Sequence, residues 1–331
     1  MNRYSIKRDV LRATGMLGYL WKKITPGLYV FNYHRIGNPD ETPFDPNIYS
    51  CDEIHFAKQI AAIRDRFKII QIKELLEIIA SGRPLQEPMA MITFDDGYRG
   101  NYENAFPILL AEKVPGLFFL PTSYISCDHI PWWDEVAWLI KNTKHQVIKL
   151  PGSNQSVTVD PQNIKQTIRT VLTRIKNDSD LPLAEKIRHM RTACGCEMPL
   201  ENSNLFMTWE QAAEMQQAGM EIGSHGHSHE ILSHLSAEEQ RSELMISKNL
   251  IEENINVPVE AIAYPVGGRP TYTEETCRIA KECGYKLGFT FVPGFNRNPA
   301  SVPFELLRIP VEDNWEPYDL KYSAVFSTTD E

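Results

Sequence analysis

Met89-Ala-Met-Ile-Thr-Phe-Asp-Asp-Gly-Tyr98 is the stretch on which the fold reading turns. An apolar, β-prone run stops abruptly at two carboxylates and a glycine, the pattern of a buried strand that delivers Asp95 and Asp96 to a tight turn. Neighbouring Asp side chains repel each other, so both stay ionised only beside something positive, usually a metal. A plain Asp-Gly turn accounts for the same letters, and a partner elsewhere in the chain has to decide.

Working outward, Leu28 to Tyr33 reads as a strand that terminates at His34-Arg35, followed by a Gly/Pro/Asp-rich loop from Gly37 to Pro46. Helical spacing over Asp52 to Phe67, a short strand over Lys68 to Ile72 and a helix over Lys73 to Ala80 lead into the Met89 strand. A helix over Tyr102 to Glu112 and a buried strand, Gly116 to Leu120, follow it. Strand and helix alternate, which implies a parallel sheet with helical crossovers, and a 331-residue chain suits closure into a barrel. The alternation resumes with a helix from Thr208, a strand over Met220 to Ser224, a helix opened by the capping box Ser236-Ala-Glu-Glu239, and strands over Val259 to Tyr264, Lys286 to Phe291 and Leu306 to Pro310. Between about 126 and 204 the pattern loosens into Pro131-Trp-Trp-Asp134, a hairpin over Gln146 to Val159 and charged helical stretches, read as an insertion on a loop.

The formal charge of −9 argues against nucleic acid, since phosphate binding needs a basic face. Six cysteines are too sparse for a disulfide framework and suggest a reducing compartment; Cys194-Gly-Cys196 lacks the second pair that a structural metal site needs. Residues 1–27 form a separate basic helical segment ahead of the domain at 28–331, and the first 23 carry Arg3, Lys7, Arg8, Arg12, Lys22 and Lys23 against Asp9. The apolar patch from Met16 to Trp21 is too short for a membrane span or a signal core, leaving a helix that covers the base of the domain or a peripheral contact with an anionic membrane. The expected location is cytoplasmic, or peripheral at the inner face of the membrane.

The chemically capable residues share one address, the C-terminal ends of the predicted strands: His34, Asp95-Asp96, His225/His229 and Arg308. In a β/α barrel that face builds the site. Two imidazoles and one carboxylate, with a position open for water, suit a catalytic Zn²⁺, which brings the pKa of bound water from about 15.7 towards about 7. The second Asp is free to take a proton, and His34 is the candidate proton donor, since imidazole as a group suits that task. His227, between the two histidines, is expected to point away or to contact the loop, His234 to lie at the surface, and His55, His129, His145 and His189 to have no site role.

Thr93-Phe-Asp-Asp-Gly97 and His225-x-x-x-His229 resemble the two signature motifs of the polysaccharide deacetylase family, the NodB-homology domain or carbohydrate esterase family 4, over about Tyr29 to Phe291. The resemblance implies an α/β fold, a distorted (β/α) barrel of about seven parallel strands, with Asp95 as catalytic base and Asp96, His225 and His229 as ligands of Zn²⁺ or another divalent ion. Three departures stand out. Gly226 replaces the Ser or Thr that commonly follows the first histidine, so that a loop-stabilising hydrogen bond is either missing or supplied by Ser228. Ala263-Tyr-Pro-Val-Gly267 has Ala263 where the family's Arg falls, with Arg308 as the residue able to reach in from the last strand. No histidine follows His234 to act as the late general acid, so Tyr33-His34 resembles instead the early histidine of the subgroup that deacetylates poly-N-acetylglucosamine.

The resulting expectation is a metal-dependent hydrolase that removes acetyl from an N-acetylated amino sugar in a glycan precursor, lipid-linked sugar or polysaccharide. Asp95 and His34 are catalytic, a backbone N–H of the Asp95-Asp96-Gly97 turn faces the oxyanion, and Tyr264, Pro265, Gly267, Trp133 and Arg308 line the substrate. The rivals are hydrolysis of an O-acetyl or formyl group, and a catalytically silent glycan-binding protein.

Overall fold

The structure is a computed structural model describing residues 3–128, 130–152, 155–177, 181–198 and 204–329; His129 lies outside the described residues. Seven strands form the barrel: β1 (Gly27–Tyr33), β2 (Pro88–Phe94), β3 (Leu117–Leu120), β4 (Glu221–Ser224), β5 (Ala261–Ala263), β6 (Leu287–Pro293) and β7 (Leu306–Pro310). Each pairs in parallel with the next, and β7 returns to β1 to close the ring. The register between β1 and β2 runs from Gly27 opposite Pro88 to Tyr33 opposite Phe94. A short strand, Lys68–Ile69, adds to the outer side of β2. Closure removes sheet edges, and the all-buried β1 and the six buried residues of β2 reflect walls covered on both faces.

The helices are α1 (Arg3–Thr14), α2 (Met16–Lys22), α3 (Glu53–Arg64), α4 (Ile72–Ser81), α5 (Phe106–Glu112), α6 (Trp132–Asn142), α7 (Ile164–Asn177), α8 (Leu183–Cys194), α9 (Trp209–Gln217), α10 (Ala237–Ile255), α11 (Glu274–Glu282) and α12 (Pro317–Phe326). Capping boxes at Thr208/Gln211 and Ser236/Glu239 start α9 and α10, each satisfying orphan N–H groups of a first turn. The helix expected over Tyr102 to Glu112 is a π-helical turn, Asn101–Ala105, running into α5. Phe31, Phe56, Phe94, Phe118 and Ile222 lie in the larger apolar cluster, and Leu28, Met91, Phe119 and Phe289 in a second one.

The N-terminal segment belongs to the same compact unit as the barrel, residues 1–37, 50–127 and 206–331. Leu17, Trp21 and Ile24 are buried, while Arg8 pairs with Asp319 and Arg12 with Glu316 on α12. Two basic residues of this segment are therefore paired with acids of α12 at the surface. Among the described residues no helix is long and apolar enough to cross a membrane.

A second compact unit comprises residues 38–49 and 128–205. It holds α6, α7, α8 and an antiparallel hairpin, Val147–Lys149 with Ser156–Thr158, around buried Val136, Leu139, Ile148, Ile168, Val171 and Met190. Asp45 ties its first segment to this unit, its backbone N–H donating to Asp134 at 3.0 Å and its carboxylate accepting from Asn47. Read from sequence, the 38–49 stretch looked like a plain loop.

Candidate active site

Asp95 and Asp96 follow β2 directly, and the chain turns there through two left-handed residues, Asp96 (φ 73°) and Gly97 (φ 66°). The left-handed conformation favours glycine at position 97, and a Cβ there would also press on Ile125 Cδ1 at 2.9 Å. The turn sends the two carboxylates to different partners.

Asp95 faces the barrel interior, where Arg308 of β7 binds it through both nitrogens, Nη1 to Oδ1 at 2.7 Å and Nη2 to Oδ2 at 2.8 Å. Asn32 of β1 donates to Oδ2 at 3.2 Å and accepts from Arg308 Nη1 at 2.6 Å and from Thr93 at 2.8 Å. Arg308 Nε donates to the Thr290 carbonyl at 2.5 Å, and the guanidinium lies against the rings of Phe119 and Phe291. Arg308 and Asp95 are 0 % and 2 % exposed, so this is a buried pair with its other polar positions satisfied, the condition under which such a pair is tolerated. Burial pushes the Asp95 carboxyl up, but the Arg308 guanidinium and the nearby imidazoles outweigh it and hold the group below its ordinary value.

Asp96 faces two histidines. His225 Nε2 lies 3.5 Å from Asp96 Oδ1 and His229 Nε2 lies 3.3 Å from the same oxygen. His225 Nδ1 stands 2.8 Å from the Ala263 carbonyl, which can only accept, so that nitrogen carries a proton and Nε2 is the atom turned toward Asp96. Burial raises the Asp96 carboxyl, yet hydrogen bonds from the two imidazoles carry it well below the ordinary range; His225 is held up by the two carboxylates against its own burial.

Among the described residues these three form a group able to hold a metal ion. Tetrahedral bonds of about 2.0–2.1 Å separate ligand atoms by about 3.3 Å, which matches the oxygen-to-nitrogen distances here. Two of these three residues, Asp96 and His229 (φ 59°), hold left-handed backbone, a conformation that costs about 1–3 kcal/mol and persists where surrounding structure enforces it.

His34 follows β1, a quarter exposed, with Nε2 4.0 Å from Asp95 Oδ2 and its ring edge-on to Phe291. Its backbone N–H donates to Ser50. His227 bonds Thr122 through Nδ1 at 2.9 Å and braces the loop between the ligands. Beyond Gly226, the Ser228 hydroxyl donates to Glu243 at 2.6 Å.

Other expected site residues fare differently. Arg308, grouped in the sequence reading with the substrate-lining residues, is fully buried and committed to Asp95, and so occupies the role left open at Ala263. Tyr264 is also fully buried, stacked on Tyr272 with its hydroxyl donating to the Phe304 carbonyl; it is a core residue with no face for a sugar. Trp133 is buried within the second unit, against Trp132. Pro265 and Gly267 shape the turn after β5, where Gly267 N donates to the Pro265 carbonyl and Phe291 N to the Gly267 carbonyl, both at 2.7 Å. Cys194 is buried and Cys196 directs its thiol to the Leu139 carbonyl; neither joins the metal-type group. Asn32 escaped the sequence reading, although a lone amide inside an apolar strand run is a signal, because a buried amide must find partners.

Comparison with known proteins adds a second line. Residues 82–288 match the family model described as polysaccharide deacetylase. A putative polysaccharide deacetylase of Bacillus subtilis, YxkH, is 40% identical over 228 residues, 69% of this chain and 53% of that protein. A poly-beta-1,6-N-acetyl-D-glucosamine N-deacetylase of Escherichia coli is 29% identical over 93 residues, 28% of this chain and 13% of that protein. The chain thus spans about half the length of the first of these relatives and much less of the second. Among solved structures, the Streptococcus pyogenes deacetylase PplD aligns with a TM-score of 0.59 at 21% identity, covering 91% of this chain and 99% of that one. IcaB from Ammonifex degensii aligns at 0.57 and 18%, covering 91% and 98%. These structural likenesses speak for the fold.

Proposed function

The chain belongs to the polysaccharide deacetylase family, and from that premise we propose that it is a metal-dependent hydrolase removing acetyl from an N-acetylated amino sugar. The observation that carries the reading is the division of the Asp pair: Asp95 is held by Arg308, while Asp96 shares its oxygen with two imidazoles at bonding distance for a common cation. A divalent ion there, Zn²⁺ by ligand type, supplies Lewis acidity to the acetyl carbonyl and acidity to attacking water.

The remaining work falls to this chain's side chains. Asp95 receives the proton of the attacking water: it is ionised, and Arg308 and Asn32 supply three donors to a carboxylate with about four acceptor sites. His34, on the same side as Asp95, gives a proton to the departing amine. Arg308 keeps Asp95 aimed, since its own position is fixed by Thr290 and Asn32. The amino-sugar substrate is supported by the E. coli relative named for poly-beta-1,6-N-acetyl-D-glucosamine. Met16 and Tyr19, exposed on α2 beside Lys22 and Lys23, are the face a peripheral membrane contact would use, and cosedimentation with anionic vesicles tests that point.

Acetate release from a panel of N-acetylhexosamine oligomers and conjugates, with Zn²⁺ supplied, tests the reading. Asp95→Asn should lower the rate by about 10²–10⁴-fold. No acetate from any member of the panel, or a wild-type rate in Asp95→Asn, ends it.

A further inference from the structure

The loop between the two histidines is held from two sides, and one of the two holds is a single side chain. Toward β3, the Thr122 and Ser123 N–H groups donate to the Gly226 and His227 carbonyls at 3.2 and 2.9 Å. That accounts for carbonyls. The Gly226 N–H donates to Ser224 Oγ at 3.2 Å, and the next two N–H groups go to Glu243 on α10: Oε2 accepts from His227 N at 3.0 Å and from Ser228 N at 2.9 Å, and Oε1 accepts from Ser228 Oγ at 2.6 Å. One half-buried carboxylate therefore takes three hydrogen bonds from the two residues that immediately precede His229. Charge-assisted bonds of this kind are about twice as strong as neutral ones.

The place matters because His229 sits at φ 59°, a left-handed conformation that a histidine leaves readily unless it is held. Gly226, at φ 74°, supplies a second left-handed step in the same short loop. His225 needs no such help, since it directly follows β4 and is locked by the Ala263 carbonyl. Of the two imidazoles, His229 has its position set by the loop, and the two N–H groups just before it have Glu243.

We propose that Glu243 is a positioning residue for the metal centre: by gathering the His227 and Ser228 N–H groups and the Ser228 hydroxyl, it fixes His229 where it meets Asp96 and His225, and so sets affinity for the divalent ion. This rests on the metal reading given above. Removing partners that orient metal ligands typically weakens binding by about 10–100-fold. Glu243→Ala should raise the Zn²⁺ dissociation constant within that range. Ser228→Ala, which removes one of the three bonds, should raise it less, and should add nothing further in the Glu243→Ala background because the two residues act as one unit. Glu243→Gln, which keeps an acceptor for the loop, should restore part of the affinity.

Competition with a chromogenic chelator on the full chain gives the dissociation constants, alongside the thermal midpoint of the metal-free protein. A purely structural role predicts a lower metal-free midpoint with an unchanged dissociation constant, and that result overturns the inference. If Glu243→Ala does not fold by circular dichroism, Ser228→Ala decides: a raised constant supports the assignment and a wild-type constant overturns it. Wild-type protein that takes up no stoichiometric Zn²⁺ overturns the metal reading and this inference together, whereas one tight equivalent in wild type with no change in any variant overturns this inference alone.

Discussion

Strand β4 has a carboxylate at one end and a histidine just past the other, and the two ends of the barrel treat buried charge in opposite ways. At the floor, Glu221 accepts from the Ile72 N–H through both oxygens, at 3.0 and 3.1 Å, and so caps α4, whose own cap residue Gln71 makes no such bond. Burial pushes Glu221 up to about 7, and Glu260 and Glu74 add to the rise despite the Ile72 bond. At the mouth, Asp95 and Asp96 are buried more deeply and are nevertheless held below their ordinary values. Burial is common to both ends; a cation held on the buried carboxylate is not. Arg308 and the histidines reverse the sign at the mouth, while at the floor Lys286 and Lys68 pair with Glu260 and Glu74, and Glu221 itself takes the Ile72 N–H. The mouth is therefore arranged to keep negative charge in a dry setting, the condition that proton abstraction and metal binding both need.

The contrast breaks most severely at Arg308. Arg308→Met leaves Asp95 buried without its cation and should cost about 3–5 kcal/mol of stability, read as a lowered denaturant midpoint, with loss of acetate release. Adding Asp95→Asn to that variant should return much of the stability and none of the activity, which separates the pair's structural demand from its chemistry. An unchanged midpoint in Arg308→Met would show that Asp95 finds another cation.

At Asp96 the test is the proposed divalent ion. Zn²⁺ at about 100 times its dissociation constant should stabilise the wild-type protein by about 2.7 kcal/mol, and His229→Ala should lose that gain while its metal-free stability stays near wild type. Equal Zn²⁺ shifts in wild type and His229→Ala, followed by thermal denaturation, would remove His229 from the ligand set.

The smallest effect is expected at the floor. A carboxyl raised from 4.5 to about 7 on folding contributes stability that is fully present below pH 4.5 and is lost as pH rises through about 7. Relative to wild type, Glu221→Gln should therefore gain stability between pH 5 and 8, by up to about 2 kcal/mol after allowance for partial solvent screening. The mouth carboxylates have the reverse sign, their contribution being present above the ordinary carboxylate range and lost only in acid. Parallel stability-against-pH curves for wild type and Glu221→Gln would refute the floor assignment.

Much of this was legible in the chain itself. The order of strands and helices, the strand-ending Asp95-Asp96, the His225/His229 pair and the capping boxes at Thr208 and Ser236 are local patterns, set by side-chain alternation, turn residues and the hydrogen-bond needs of first turns within a few residues. Barrel topology then brings strand ends together, so the convergence of distant polar residues also follows from the pattern. Tertiary structure decided what depends on non-local contact. Arg308 reaches Asp95 across 213 positions, and its direction follows from ring closure between β7 and β1. Asn32 completes that cluster, Tyr264 turns into the core, the 38–49 stretch joins a second unit, and Glu243, an ordinary acidic residue on an amphipathic helix when read by sequence, takes three bonds from the histidine loop. Periodicity tells which face of an element is buried; which partner waits there is settled when strands far apart in sequence pair.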